Sequence, residues 1–480
     1  VKNGKTTIWA TMAGLLTAAA ALGALIWWLE GSPGNTMQPR MPEVDELAGT
    51  AQQKNLPKVN IEGYFQAGSG TPSILPAEWP CFRGSDSDNI SKETVPLAES
   101  WPETGPPVLW STPLGDGHAA PVVKDGRVYI LDYDETEKAD ALRCLSMDDG
   151  QEIWRRWYHV KTKRNHGISR TIPAVDDHHV VTIGPKCHVL CTDAETGDFV
   201  WGKDMVAAYG TKVPLWYTGQ CPILYQGNVI LAPAGSCLLT AVNCATGKPL
   251  WETPNPDGWK MSHSSVVPMT CGGRRMFVYC AIGGVVGVAA DGPDAGAVLW
   301  RTDAWTHSVV APSPVPLPGN RLLLTAGYGA GSMMLRIKEE SGAYTPEVLF
   351  ELKKSTFACE QQTPILWEGH LYTVLPNDAG PAKQQFACLD EQGRQLWTSG
   401  LDNRFGLGPF LLADRKFFIL DDAGTLTLAK ADASGFRRLA RASIVDGRDA
   451  WGPMVIVAGR LLMRESTRMF CLDVSAQATP

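Results

Sequence analysis

The stretch AVNCATGKPLW, residues 241–251, carries a polar residue at its third position, Thr-Gly at its sixth and seventh, and Trp at its eleventh. CTDAETGDFVW, residues 191–201, has the same layout. CLSMDDGQEIW (144–154) and DAGAVLW (294–300) keep the Gly and the Trp, and CLDEQGRQLW (388–397) keeps both with one residue fewer. Weaker copies place Phe350 and Leu439 at the anchor, and Trp110 stands alone in PVLWSTPLG. The anchors therefore fall at 110, 154, 201, 251, 300, 350, 397 and 439, a period of 42 to 50 residues. A period near 40–50 with a β-type local pattern is that of propeller blades.

A second series gives the same count. Pro121, Pro173, Pro222, Pro268, Pro314, Pro364, Pro409 and Pro453 each head an apolar run. Proline lacks an N–H and suits the start of a strand. Turns such as KDGR, YQGN, WEGH and VAGR follow, then a second strand, a third ending near Leu-Asp, the Gly turn, and a fourth strand ending at Trp. The expectation is an all-β, eight-bladed propeller of four-stranded antiparallel blades. Its last unit stops after MFCLDVS (469–475), so PVLWSTP (107–113) should supply the missing strand and close the ring. Trp110, Trp154, Trp201, Trp251, Trp300 and Trp397 are then structural, each packing between blades beside a turn glycine.

Ahead of the propeller, Thr6–Leu29 is an uncharged run preceded by Lys2 and Lys5 and followed by Glu30, Glu43, Asp45 and Glu46. At ~1.5 Å per residue it spans about 36 Å as a helix, enough for a bilayer. The charge bias predicts a single-pass anchor with its N-terminus in the cytoplasm and the propeller outside, which the resemblance to bacterial proteins given below implies is the inner membrane and the periplasm; a cleaved signal peptide is the alternative. The domains expected are residues 1–30 as anchor, 31–79 as a Pro/Gly-rich flexible tether, and 80–480 as propeller. With 17 Trp, 48 Gly and 34 Pro the composition suits a turn-rich β protein, and a net charge of −7 excludes a nucleic-acid partner.

The repeat resembles the tryptophan-docking motif of the pyrroloquinoline quinone (PQQ)-like β-propellers, and WPCFRGSDSDNISKETVPLAESWPETGPPVLW (79–110) is similar to the start of bacterial, planctomycete-type members. The resemblance implies either a quinoprotein alcohol dehydrogenase with PQQ and calcium, or a non-catalytic scaffold of the BamB-like branch. The dehydrogenases carry adjacent cysteines, and this chain has no Cys-Cys and no CxxCH haem motif. The reading is therefore a BamB-like binding scaffold with no catalytic residues, no metal site and no cofactor. Its expected partners are envelope proteins or polysaccharide. The alternatives are a PQQ-dependent oxidoreductase and a carbohydrate-binding propeller.

Residues ahead of the Pro-headed strands should line one channel mouth. These are His118, Arg170, Gln220, His263, Gln361, Gln362, Arg404 and Trp451, with Trp259 and Lys260 from a neighbouring loop. Trp216, Tyr217, His307 and Ser308 lie close by in sequence. Such donors and aromatics suit an anionic, sugar-like or quinone-like ligand, or else a hydrated channel without one. Of 12 cysteines, Cys144, Cys191, Cys388 and Cys471 share one repeat position and read as buried fillers. Cys237 with Cys244, or Cys271 with Cys280, would be placed to bridge strands. Asp176, Asp177, His178 and His179 read as a solvated turn rather than a metal site.

Overall fold

The computed structural model describes residues 12, 15–23, 25–26, 58–92, 94–163 and 167–477. They fall in two compact units, Val1–Leu56 and Pro57–Pro480. In the first, residues 15–23 are helical. No described helix is long and apolar enough to cross a membrane. Much of the expected anchor and tether, residues 1–11 and 27–57, lies outside the described residues.

The second unit is a ring of eight antiparallel sheets, which we number as blades 1 to 8 by their inner strands. These are Val122–Lys124, Ala174–Val175, Ile223–Tyr225, Val267–Cys271, Val315–Leu317, Ile365–Trp367, Phe410–Ala413 and Val455–Val457. Proline precedes seven of them by one or two residues, and Pro268 lies inside the eighth. The turn that follows has left-handed residues in a two-residue hairpin, as at Asp125-Gly126, Gln226-Gly227 and Glu368-Gly369. That backbone matches the twist of paired strands. As expected, Val108–Pro113 pairs with Arg468–Asp473 and completes blade 8 from the other end of the chain.

Each outer strand carries a β-bulge, one residue before the anchor in seven blades and at Leu439 itself in blade 7, where Ala440 takes the paired position. Register slips between Val108 and Trp110, Phe199 and Trp201, and Ala241 and Val242 opposite Trp251, and likewise in the other blades. The strand does not stop at Trp, as the sequence had suggested, but runs on to Pro113, Asp204 or Pro254. The bulge twists the outer edge, which also protects it from pairing with other chains. Facing each indole across the ladder stands a small residue: Cys144 opposite Trp154, Cys191 opposite Trp201, Cys388 opposite Trp397, Cys471 opposite Trp110. These four thiols are fillers beneath an indole. All twelve cysteines are free. Cys237–Cys244 and Cys271–Cys280 bridges are thus absent: each pair is buried among apolar side chains within its blade.

The anchors lock neighbouring blades. A Cβ on Gly150, Gly197, Gly247 or Gly296 would strike the ring of Trp110, Trp154, Trp201 or Trp251, each from the preceding blade. All four glycines have φ between 67° and 89°. The indole N–H then donates to the same turn, Trp110 to Met147 at 3.1 Å, Trp154 to Glu195 at 3.0 Å and Trp201 to Cys244 at 2.6 Å. Trp397 reaches the Ala433 carbonyl at 3.0 Å, and Phe350 covers Gly393. Trp300 differs from the expected docking role. Its N–H points at Met276 of its own blade, 3.1 Å away, and its ring covers Gly287 there. Blade 5 instead extends a long hairpin, Gly331–Glu340 and Ala343–Leu352. That hairpin meets the first turn of blade 4, where Cys271 Sγ approaches the Ile337 carbonyl at 3.5 Å.

Residues 58–79, read from sequence as tether, are ordered. Tyr64–Ala67 pairs with Trp154–Trp157 and gives blade 1 a fifth strand. Ile61 is buried against Tyr133 and Tyr158, so this edge is covered by an apolar anchor that lacks any repeat signature.

Trp201→Ala should cost about 3 to 5 kcal/mol, because it opens a cavity and leaves the Cys244 carbonyl only the weak Cys191 thiol as donor. Leu250→Ala at an exposed bulge should stay within about 0.5 kcal/mol. Urea denaturation followed by circular dichroism separates the two.

Candidate functional site at the channel mouth

The channel is crossed by a strap, residues 79–91, that touches every blade. Trp79 pairs with Val123 of blade 1, and the Pro80 carbonyl accepts from Val175 of blade 2 at 2.8 Å. Cys81, Phe82, Arg83 and Ser87 pack against Cys221, Ser265 and Ser313 of blades 3 to 5, leaving a cavity of about 10 Å³, room for one water. Arg83 is buried and donates to the carbonyls of Thr363 (2.7 Å) and Pro364 (2.9 Å) of blade 6 and to Ser87 (2.9 Å) and Asp88 (3.1 Å) of the strap. Burial pushes its guanidinium down to about 10. Asn89 bonds the Phe410 carbonyl of blade 7, and Ser91 the Ile456 carbonyl of blade 8 at 2.8 Å.

Above the strap, small polar side chains just before the inner strands form a belt. Ile172 N–H donates to Cys221 Sγ (3.3 Å), Cys221 to Ser265 Oγ (3.0 Å), Ser265 to Ser313 Oγ (3.1 Å) and Ser313 to Thr363 Oγ1 (2.9 Å). Each backbone donor is satisfied by the next blade. The positions nearest the inner strands are therefore structural, and the candidate site lies one step further out.

There the loops form a chain of contacts around the mouth. His118 packs on Trp451 with ring centres 5.1 Å apart. The Trp451 indole donates to Asp422 at 2.7 Å, and Gln362 donates to the Trp451 carbonyl at 3.1 Å. Trp216 lies 6.1 Å from His263 and stacks on Tyr328 at 6.0 Å and 23°. Arg170 and Glu360 both act electrostatically on the Tyr328 hydroxyl. Burial holds Arg170 down at about 10, while Tyr328, Asp116 and Tyr217 work the other way. Burial, with Arg170 beside it, pushes His263 down to about 4, so its imidazole is neutral near pH 7. Burial raises Glu360 and Asp422 above the usual carboxylate range.

Of the residues expected at the mouth, His118, Arg170, His263, Gln362 and Trp451 come together, with Gln361 in the same segment as Gln362. Four do not. Gln220 is fully buried, and its amide bonds both backbone groups of Ala232 in its own blade. Trp259 packs over Gly283 and Gly284, and Lys260 bridges Ile282, both at one side of blade 4. Arg404 is a clamp on the carbonyls of Lys383 and Pro381. His307 packs edge-on against Trp305 at 4.3 Å. Asp176 accepts from the His178 and His179 backbones as an ordinary turn. Among the described residues no group of three His, Cys, Asp or Glu is placed to hold a metal ion.

Sequence reasoning did not single out Tyr328, Glu360, Asp422 or the strap. Tyr328 has a signal in hindsight: it sits between Gly327 and Gly329 in AGYGAG, a loop that no blade repeat requires.

Two measurements follow. Arg83→Ala leaves two buried carbonyls of blade 6 and two partly buried carbonyls of the strap without their donor, and should cost about 3 kcal/mol or more and expose the strap to limited proteolysis. His263 takes a proton near pH 6.5 when unfolded but only near pH 4 when folded. The unfolded state binds the extra proton between these values, so stability falls as pH drops through that window. His263→Gln should flatten this slope in denaturation curves measured from pH 7 to pH 4.

Residues 137–307 match the protein family described as outer membrane protein assembly factor BamB. No curated protein matches the chain in sequence. Among solved structures, BamB from Moraxella catarrhalis superposes with a TM-score of 0.51 at 12% identity, over 77% of this chain and 100% of that one. The quinohemoprotein alcohol dehydrogenase of Comamonas testosteroni gives 0.55 at 12%, over 85% and 82%. A europium-containing methanol dehydrogenase gives 0.56 at 11%, over 83% and 89%. At such identities these structures share the fold alone. The family match covers residues 137–307, and the repeat and ring closure carry the same eight-bladed propeller fold through the rest of the ring.

Proposed function

We propose that this chain is a non-catalytic binding scaffold of the bacterial cell envelope, acting through its blade edges and mouth loops. The strap carries the reading. It fills the channel at the level of the inner strands and ties all eight blades into one rigid ring, leaving loops and edges as the recognition surface. The uncharged run Thr6–Leu29 supports attachment to the inner membrane with the propeller on the periplasmic side. The family match over 137–307 supports a part in outer-membrane protein assembly.

The mouth does not fit a PQQ cofactor. That quinone carries three carboxylates. Among the described residues the mouth sets Arg170 and a neutral His263 beside the carboxyl groups of Glu360, Asp422 and Asp116. Like charges at close range would repel such an anion. We therefore derive no redox step through the group.

Deletion of the gene in its native host should lower the amounts of outer-membrane β-barrel proteins, and the full-length chain should restore them. Unchanged barrel protein levels would refute the assembly role. Calorimetric titration with PQQ and calcium should show no saturable heat, and binding near one equivalent would replace the scaffold by the oxidoreductase reading.

A further inference from the structure

Asp140 sits on the third strand of blade 1, Ala139–Ser146, and is 1% exposed. Its Oδ2 accepts from the Tyr158 hydroxyl at 2.8 Å, and its Oδ1 has no hydrogen-bond partner among the described residues. Burial, with Asp140 beside it, raises the Tyr158 hydroxyl, which therefore stays a donor. Blade 2 closes the pocket: a Cβ at Gly184 would strike both the Tyr158 hydroxyl and Asp140 Oδ2. One hydroxyl is a poor substitute for the donors that water gives a carboxylate, so the pocket suits the neutral carboxyl and not the ion. Burial, offset in part by the Tyr158 bond and reinforced by Asp132, pushes the Asp140 carboxyl up to about 7.

Other titratable groups surround the pair. Tyr133 stands directly across the ladder from Asp140, and Asp132 is held by Arg143 at 3.1 Å. From blade 2, His188 packs edge-on against Tyr158 at 5.6 Å and lies 3.9 Å from Asp204, while Cys187 acts on the Tyr158 hydroxyl. Burial lowers the His188 imidazole and raises the Cys187 thiol to about 12, so neither is charged at pH 7.

The same tyrosine carries the N-terminal segment. Ile61 is buried on Tyr133 and Tyr158, and a side chain at Gly63 would meet the Tyr158 Cβ at 2.9 Å. Ile61 is also wedged against blade 2, where a Cβ at Gly202 would meet it at 2.7 Å. Blades 1 and 2 stay joined without this wedge, through Trp154 docked on Gly197 and through the strap. Departure of the segment is therefore an opening that brings water to Tyr158 and Asp140 with the ring intact. We propose that Asp140 and Tyr158 form a proton-operated latch: residues 58–67 are held on blade 1 while the Asp140 carboxyl is protonated, and are released as it ionises. With Thr6–Leu29 in the membrane, release would lengthen the tether by ten residues, about 35 Å of extended chain. The latch itself does not depend on that attachment.

A water-exposed aspartate titrates near 3.8 and the docked Asp140 near 7. Between these values the released state gives up a proton that the docked state keeps. Docking therefore weakens as pH rises through that window, by up to about tenfold per unit, and levels off above pH 7. The test is hydrogen exchange of the full chain, read by mass spectrometry on peptides covering 58–67 and corrected for the intrinsic pH dependence of exchange. Protection there should fall about tenfold or more from pH 5 to pH 7 and hold steady from pH 7 to pH 8. Asp140→Asn mimics the neutral carboxyl and should keep the acid level of protection throughout. Tyr158→Phe keeps the ring under Ile61 but removes the hydroxyl that lowers the carboxyl, so the levelling point should move above pH 7. If Asp140→Asn loses protection at every pH, Tyr158→Phe decides, and an unmoved levelling point overturns the latch. His159 packs edge-on against Tyr64 at 5.3 Å, so His159→Gln and His188→Gln are the controls, and both should retain the slope. A slope that survives Asp140→Asn, or one lost with either histidine, would overturn the proposal, as would protection independent of pH in the unaltered chain.

Discussion

The structure depends on the docking of an aromatic ring from one blade onto the turn glycine of the next. A four-stranded blade has two apolar faces and cannot bury them alone. The lock brings neighbours into register by three features acting together. A left-handed glycine leaves room for the ring, an indole N–H finds a carbonyl in the same turn, and a small residue opposite the anchor gives the indole space in its own sheet. The bulge before each aromatic anchor aims the ring toward the neighbour. Where the lock fails, between blades 4 and 5, the blade 5 hairpin lengthens to supply contact by another route. The ring closes with the same device, since Trp110 from the N-terminal side sits on Gly150 of blade 1 while its strand completes blade 8.

Two inner layers reinforce this outer lock. The belt from Ile172 to Thr363 satisfies backbone donors between blades 2 and 6 with hydroxyl and thiol groups too small to do more. The strap spans the blades from within, and Arg83 ties its middle, at Ser87 and Asp88, to blade 6 through carbonyls alone. Arg464 does similar work at the closure, donating to Gly115 (3.0 Å) and Ala119 (3.3 Å) ahead of blade 1. A buried guanidinium paired only to carbonyls keeps its charge at the cost of desolvation, which is why both arginines are shifted downward. Rigidity at the axis frees the loops above it from any structural duty, and strained aromatics are tolerated there.

The parts of this fold legible in the sequence are those that repeat. Pro heads and hairpin turns each state one physical demand in nearly every blade, the Gly-Trp spacing in five and the equivalent cysteines in four, and their agreement gives blade number and closure. The strap was not legible because its partners are backbone groups of distant blades, which impose no side-chain pattern. Tyr64–Ala67 was hidden for the same reason, as a strand added to an edge needs only backbone. At the mouth, position before a Pro-headed strand was a fair guide to depth but not to direction. Gln220 has the right place and turns inward to Ala232, whereas Tyr328 comes from a different connection and reaches the mouth over a glycine-flanked loop.

Similarity of fold reaches dehydrogenases and BamB alike at 11–12% identity, so the architecture by itself cannot choose between them. The choice lies in the charge and shape of one loop cluster. A redox site for a tricarboxylate quinone would need cations around its rim and a floor open to the ligand. In this chain burial keeps His263 neutral and raises the Glu360 and Asp422 carboxyls, which are desolvated as well. Such groups are disposed to hydrogen-bond rather than to neutralise an ion. The rings of His263, Trp216 and Tyr328 gather in the same loop cluster.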